Sequence, residues 1–179
     1  MCGIAGIVNY QSHQPADREV IEAMLRAMVH RGPDEGGCYL DRYVGLGHRR
    51  LSIIDRSGGH QPMCNEDGTV WISFNGEIYN FRRLRDELVA SGHTFQTQSD
   101  TEVIVHLYED LGEHCVHRLH GMFTFIIWDS RKEQILIARD RVGIKPLYYW
   151  VSKGGLALAS EMKALLAVPD FPREVNLQA

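Results

Sequence analysis

Apolar and polar positions change period several times along this chain, and each change marks an element. The opening run CGIAGIVNY (residues 2–10) is apolar and β-branched, with small residues at alternate positions, which is the pattern of a buried strand. Gly3 and Gly6 within it imply that something packs close to its backbone. Over residues 16–32 the period lengthens: Ile21, Met24, Leu25 and Met28 share one helical face, with Asp17 placed to cap it. RGPDEGG breaks that helix. From Cys38 to Phe74 short strands alternate with turns, the last of them in TVWISFNGE. A second helix is predicted over 81–91, with Phe81, Leu84 and Leu88 on one side. A third covers 100–112, striped by Val103, Ile104, Leu107 and Leu111. Strands then return in MFTFIIWD, EQILIARD, LYYWVS and GLALAS, and EMKALLAV predicts a short last helix. Strands, then helices, then strands, without regular βαβ alternation, indicate an α+β fold of antiparallel sheets with segregated helices.

Composition narrows the function classes. The chain has 179 residues, the size of one domain, and buries roughly 70% of its unfolded surface without a disulfide or metal staple. A formal net charge of -4 with no Lys/Arg block argues against nucleic acid and against a charged membrane surface. No apolar run approaches the ~20 residues of a membrane span. Cys2, Cys38, Cys64 and Cys115 form no CxxC pair, and Cys2 lies too near the start for a signal peptide to precede it. These features predict a soluble protein of the reducing cytoplasm. His114, His117 and His120 lie three apart, but no cysteine pair accompanies them, so no metal site is expected there.

Candidate chemistry begins at the second residue. If Met1 is removed, the Cys2 thiol and a free α-amine share one residue, and the amine is a base of suitable strength for the thiol proton. The bland alternative is a small buried strand residue. Further on, FNGE offers an Asn side-chain N–H and a Gly backbone N–H, at Asn75 and Gly76, that can converge on one oxyanion. The same dipeptide also favours a tight turn. Arg50 in GHRRL carries a planar fork suited to a carboxylate, or to a surface ion pair. Asp100 has the look of a helix N-cap.

MCGIAGIV, RGPDEGG, LGHRRLSIID, FNGEIYN, SDTEVI, GMFTFIIWD and ARDRVGIKPLYY occur in that order, and together they resemble the class II glutamine amidotransferases, in particular the asparagine synthetase branch. The resemblance runs from Cys2 to about Leu166. It implies the N-terminal-nucleophile hydrolase fold, a four-layer αββα sandwich of two antiparallel sheets. It also implies hydrolysis of the L-glutamine side-chain amide through a Cys2 thioester. Asn75 and Gly76 match the family's oxyanion hole, Arg50 its carboxylate-binding arginine, and Glu77 and Asp100 positions near the substrate's amino group. Arg49 falls at a variable position and is expected to face elsewhere. The loop at 57–60 is expected to be part of a flap over glutamine.

The resemblance also sets what lies outside this sequence. No nucleotide-binding motif is present, so no cofactor is expected in this domain, with ATP and Mg belonging to a synthetase domain. Residues 1–167 are expected to form the glutaminase domain and 168–179 the start of a linker to that synthetase partner. A homodimer is possible on this reading. Alternatives are an amidotransferase with another acceptor, a non-catalytic support domain of the same fold, and an N-terminal-nucleophile amidase for a different amide.

Overall fold

β1 (Gly3–Val8) is buried along its whole length, and the rest of the fold is arranged around it. The structure is a computed structural model describing residues 1–51 and 58–174. In chain order the other elements are α1 (Arg18–Ala27), β2 (Glu35–Asp41), β3 (Val44–Arg50), β4 (Met63–Cys64), β5 (Val70–Ile78), α2 (Phe81–Ala90) and α3 (Asp100–Leu111). A 3₁₀ helix (Gly112–Arg118) follows, then β6 (Gly121–Asp129), β7 (Gln134–Arg139), β8 (Tyr148–Val151), β9 (Leu156–Ala159) and α4 (Met162–Leu165). One sheet has the order β2-β3-β1-β9-β8 and the other β4-β5-β6-β7, with antiparallel neighbours throughout.

Strand alternation assigns β1 to two cores at once. Ala5 and Ile7 pack with Ile21, Met24 and Leu25 of α1. Ile4 and Val8 face the other way and join Leu46, Ile126, Trp128 and Leu158 between the sheets. On the far side of the second sheet, Leu84, Leu88, Ile104 and Leu107 cover Ile72, Phe74, Phe125 and Ile127. The layers are therefore α1 with α4, sheet, sheet, and α2 with α3. This is the four-layer αββα sandwich expected from the sequence. Gly6 has the packing role its position implied: a Cβ there would lie 2.9 Å from Ile126 Cδ1 of the facing sheet.

Asp17 caps α1, its carboxylate accepting the Glu19 N–H at 2.8 Å. At α3 the cap is Ser99, whose hydroxyl accepts the Thr101 N–H at 3.1 Å. Asp100 is the first helical residue, so the N-cap reading of Asp100 is corrected. Its side chain is released for another partner. The 3₁₀ helix continues directly from α3. It carries His114 and His117 exposed, with rings stacked at 6.0 Å. Beyond residue 167, Val168 and Phe171 still pack on the α1 core, with Phe171 edge-on to Trp150 at 5.4 Å.

The Asn75–Gly76 dipeptide lies inside β5, paired with Thr124 and Phe123, so the tight-turn alternative does not hold. Gly76 is required by the neighbouring strand, because a Cβ there would sit 2.3 Å from the Met122 carbonyl oxygen. Gly76→Ala is therefore expected to lower unfolding free energy by about 1–3 kcal/mol, the usual range for overpacking against a fixed neighbour. Gly154→Ala, whose new Cβ meets nothing closer than 3.8 Å, should stay within about 0.5 kcal/mol of the parent. Urea unfolding of the two variants checks this, and a parental midpoint for Gly76→Ala contradicts it.

Candidate functional site

The strand ends nearest the N-terminus of β1 open onto a small cavity of about 100 Å³. Its lining includes Cys2, Arg50, Asn75, Gly76, Glu77 and Asp100, so the six residues singled out in the sequence meet there. They come from four places: the start of β1, the end of β3, the second half of β5 and the first turn of α3.

Cys2 is held through its carbonyl and its sulfur. Arg31, just past α1, donates Nε–H to the Cys2 carbonyl at 2.8 Å and Nη1–H to Glu161 Oε1 at 3.2 Å. Two hydrogen bonds of 3.0 Å join Ile4 to Ser160, fixing the start of β1 to the end of β9. The sulfur lies against Leu51, whose N–H points at Sγ at 3.4 Å, and the thiol lies 3.7 Å from the Leu51 carbonyl. Arg31 and Glu161 were not recognised in the sequence. RGPDEGG and LALASEM were visible as motifs, but nothing local in either one links it to residue 2.

β5 presents its open edge to the cavity. The Phe74 N–H donates to Gln61 Oε1 at 2.7 Å and the Ile78 N–H to Asp100 Oδ2 at 3.0 Å. N–H groups two residues apart in a strand point the same way, so the Gly76 N–H lies on this edge between them. Asn75 is 1% exposed, and its Nδ2 is buried without a hydrogen-bond partner among the described residues. An orphaned buried donor costs free energy unless something later accepts its bond. Here it borders a cavity that also holds a thiol.

Two kinds of charge flank this pair. Arg50 is buried and contacts Glu35 Oε2 through Nη1 at 3.3 Å. Burial works against the Glu35 carboxylate, but hydrogen bonds from His60 and Arg50 outweigh it and hold its pKa below the ordinary value. Arg49 faces the other way, donating Nε–H to the Gly32 carbonyl at 2.9 Å and lining a separate hollow with Gly36 and Cys38. Burial pushes the Asp100 carboxyl, which lines the same cavity as Arg50, up to about 6, and the nearby Glu77 charge adds to the rise. The bond from Ile78 N–H works in the opposite sense.

Lys145 also lines the cavity and had no assigned role in the sequence, where GIKP was visible only as part of a turn. Of the loop at 57–60, Gly59 borders the cavity and His60 bonds Glu35; Ser57 lies outside the described residues. The described group with metal-ligand spacing, His93, His106 and Glu109, lies elsewhere, on α3 and the loop before it. Several of its atoms already serve one another and their neighbours: His106 Nδ1 meets Glu109 at 2.8 Å, Asn65 donates to Glu109 at 2.7 Å, and His93 bonds Asp110 at 3.0 Å, while His106 Nε2 is buried with no hydrogen-bond partner among the described residues. No described helix is long and apolar enough to cross a membrane.

Comparison with known proteins agrees with the fold. The family model described as "Glutamine amidotransferase domain" matches residues 1–179. Asparagine synthetase [glutamine-hydrolyzing] 1 of Bacillus subtilis (strain 168) is 49% identical over 172 residues, 95% of this chain and 27% of that protein. Asparagine synthetase [glutamine-hydrolyzing] 3 of Arabidopsis thaliana is 47% identical over 168 residues, 92% of this chain and 28% of that protein. The chain thus spans about a quarter of the length of these curated relatives. Among solved structures, the glutamine phosphoribosylpyrophosphate amidotransferase from B. subtilis superposes with a TM-score of 0.76 at 22% identity, over 93% of this chain and 43% of that one. A second structure, described as the allosteric regulatory enzyme of purine biosynthesis, gives 0.77 at 23% identity, with the same coverage of both chains. At these identities the likeness is one of fold.

The raised Asp100 carboxyl has a consequence for stability. Its folded pKa exceeds the unfolded value, so the folded state binds the proton more tightly. The contribution is present below about pH 4 and is lost as pH rises through about 6. Asp100→Asn keeps a carbonyl oxygen for the Ile78 N–H and removes the charge. It should match the parent near pH 4 and exceed its stability at pH 7.5, by at most about 3 kcal/mol for a two-unit shift. Melting temperatures against pH check this, and a less stable Asp100→Asn at pH 7.5 contradicts it.

Proposed function

Because this chain belongs to the glutamine amidotransferase domain family, we propose that it hydrolyses the side-chain amide of L-glutamine to glutamate and ammonia, with Cys2 as nucleophile after Met1 is removed. The observation that carries the reading is the unpartnered Asn75 amide N–H, buried in the cavity that Cys2 lines. An amide carbonyl seated there places its oxygen between the Asn75 amide, which lacks an acceptor among the described residues, and the edge of β5 that carries the Gly76 N–H.

The steps follow from the groups present. The α-amine of Cys2 takes the thiol proton, directly or through one water, and Leu51 N–H supports the charge on sulfur. Sulfur attacks the side-chain carbon of glutamine, and the electron pair of the C=O bond moves to oxygen. Asn75 Nδ2–H and Gly76 N–H stabilise that oxyanion; losing one such donor typically slows turnover by about 10²–10³-fold. When the pair returns, the C–N bond breaks and the protonated α-amine delivers its proton, so ammonia leaves. Water, deprotonated by the same amine, then cleaves the thioester to glutamate and restores the thiol.

Recognition of the rest of the substrate rests on charge. Arg50 is suited to the α-carboxylate through its fork. Glu77 and Asp100 are suited to the α-ammonium. Two neighbouring carboxyls, one with its pKa raised by burial and by the other, form a place where an added cation relieves both. Glutamine's own ammonium supplies that cation.

The relatives' names extend the proposal. Ammonia released here passes to an ATP- and Mg-dependent synthetase partner that amidates aspartate to asparagine. What supports this step is the 40–49% identity to proteins of that name over nearly the whole chain. Exposed Val142, Ile144, Tyr149 and Val151, on the segment that also carries Lys145 into the site, offer such a partner an apolar face.

Cys2→Ala is expected to abolish glutamate release with the melting temperature retained, and an electrophilic glutamine analogue should label Cys2 alone. Adducts on Cys38, Cys64 or Cys115 would sink the assignment. Arg50→Lys should raise the KM for glutamine by an amount worth about 1–3 kcal/mol, since charge-assisted bonds carry that much. Arg49→Lys should leave KM close to the parent value. Initial rates over glutamine concentration decide, and the reverse order means that the wrong arginine has been placed in the site.

A further inference from the structure

Lys145 is the cavity group that the reaction above leaves without a task. The turn that carries it, between β7 and β8, is held by a single carboxylate. Asp140 accepts the N–H groups of Ile144 at 2.9 Å, Lys145 at 3.0 Å and Phe123 at 3.3 Å. Arg139 closes the turn from outside by donating Nε–H to the Lys145 carbonyl at 2.6 Å. The side chain is thereby directed inward, and Lys145 is only 5% exposed. Its Nζ lies 3.5 Å from Met1 Sδ. A thioether is a weak acceptor. Among the described residues no carboxylate comes within 4.0 Å of this ammonium, an uncommon state for a buried cation.

Other charges gather around the cavity, and the two arginines among them are paired. Arg31 comes from the end of α1 and is paired with Glu161 beside β9. Arg50 comes from β3 and contacts Glu35 of β2. Glu77 of β5 and Asp100 of α3 line the cavity as the acceptors assigned above to the substrate ammonium. Lys145 is the cation of this set with no carboxylate beside it, and it lies against the residue whose removal exposes the Cys2 amine.

We propose that Lys145 is a positioning residue for the reaction, acting through the Cys2 α-amine: its fixed positive charge disfavours a second one and keeps that amine neutral and able to accept the thiol proton. The inference rests on the N-terminal-nucleophile reading. The proton balance is unchanged: the thiol proton moves to the amine, and the resulting ammonium gives it to the departing nitrogen. Lys145 makes the second transfer easier for the same reason that it keeps the amine neutral at the start.

The test uses the processed chain, with loss of Met1 verified by mass, and two readouts. One is the pH profile of kcat/KM for glutamine. The other is the pH dependence of acetylation of the Cys2 amine, which needs no turnover. In Lys145→Met the rising limb of the profile and the acetylation midpoint should both move up by about one pH unit, the low end for a neighbouring charge. Turnover at pH 7 should fall about tenfold and recover toward pH 9, with KM little changed. Lys145→Arg keeps the charge and should retain the parental limb. Lys145→Gln is the second neutral variant should Met prove unstable. Unmoved limb and midpoint in the neutral variants overturn the proposal, as does a Lys145→Arg shifted like Lys145→Met. A parental chain that starts at Cys2 yet releases no glutamate overturns the hydrolase reading, while the acetylation midpoints still decide the role of Lys145.

Discussion

The relative placement of the two sheets depends on polar contacts buried between them. His48 on β3 is 1% exposed and donates Nε2–H to the Phe74 carbonyl of β5 at 3.0 Å. One residue away, the Ser73 hydroxyl donates to the Gly47 carbonyl at 2.8 Å. Apolar packing between sheets tolerates sliding; a hydrogen bond with no solvent to replace it does not. Burial pushes the His48 pKa down to about 4, so the ring stays neutral and bonded across the physiological range. Arg50 lies two residues beyond His48, and Asn75 follows Phe74. The same contacts that lock the sheets thus set the distance between groups supplied by the first sheet and groups supplied by the second.

Around that lock the site is assembled from chain ends and edges. Cys2 stands just before the central strand, its carbonyl held by Arg31, and two residues on Ile4 is bonded to Ser160 past the end of β9, 156 residues later in sequence. β5 offers an open edge because β4 pairs with it only at Ile72 and Trp71. Side chains of Gln61 and Asp100 take up two of the freed N–H groups, and the one between them lies toward the cavity. An incomplete sheet edge, usually a hazard, becomes here a row of donors sheltered by α3.

The cavity lining carries charge of both signs: Arg50, paired with Glu35, and the acidic Glu77 and Asp100. Burial, with the Glu77 charge adding to it, raises the Asp100 carboxyl to about 6. The Cys2 thiol and the Asn75 amide, buried with no partner among the described residues, border the same cavity.

Much of this was legible in the sequence. Period-2 and period-3.6 patterns located the strands and helices, because burial on one face is imposed residue by residue. Ordered motifs identified Cys2, Arg50, Asn75, Gly76, Glu77 and Asp100, since side-chain chemistry is a local property. The roles of neighbours were not legible. Asp17 was recognisable as a cap because a cap acts within three residues, but Ser99 displaced Asp100 from that task once β5 offered Asp100 the Ile78 N–H. Asn-Gly could be a turn or a strand pair until Met122 and Phe123 closed on Gly76. Arg31 with Glu161 and Lys145 with the N-terminus are contacts over 130 and 144 residues. No local pattern encodes such pairs. Only the stacking of two sheets brings them to one cavity, and only burial there gives their charges enough strength to matter.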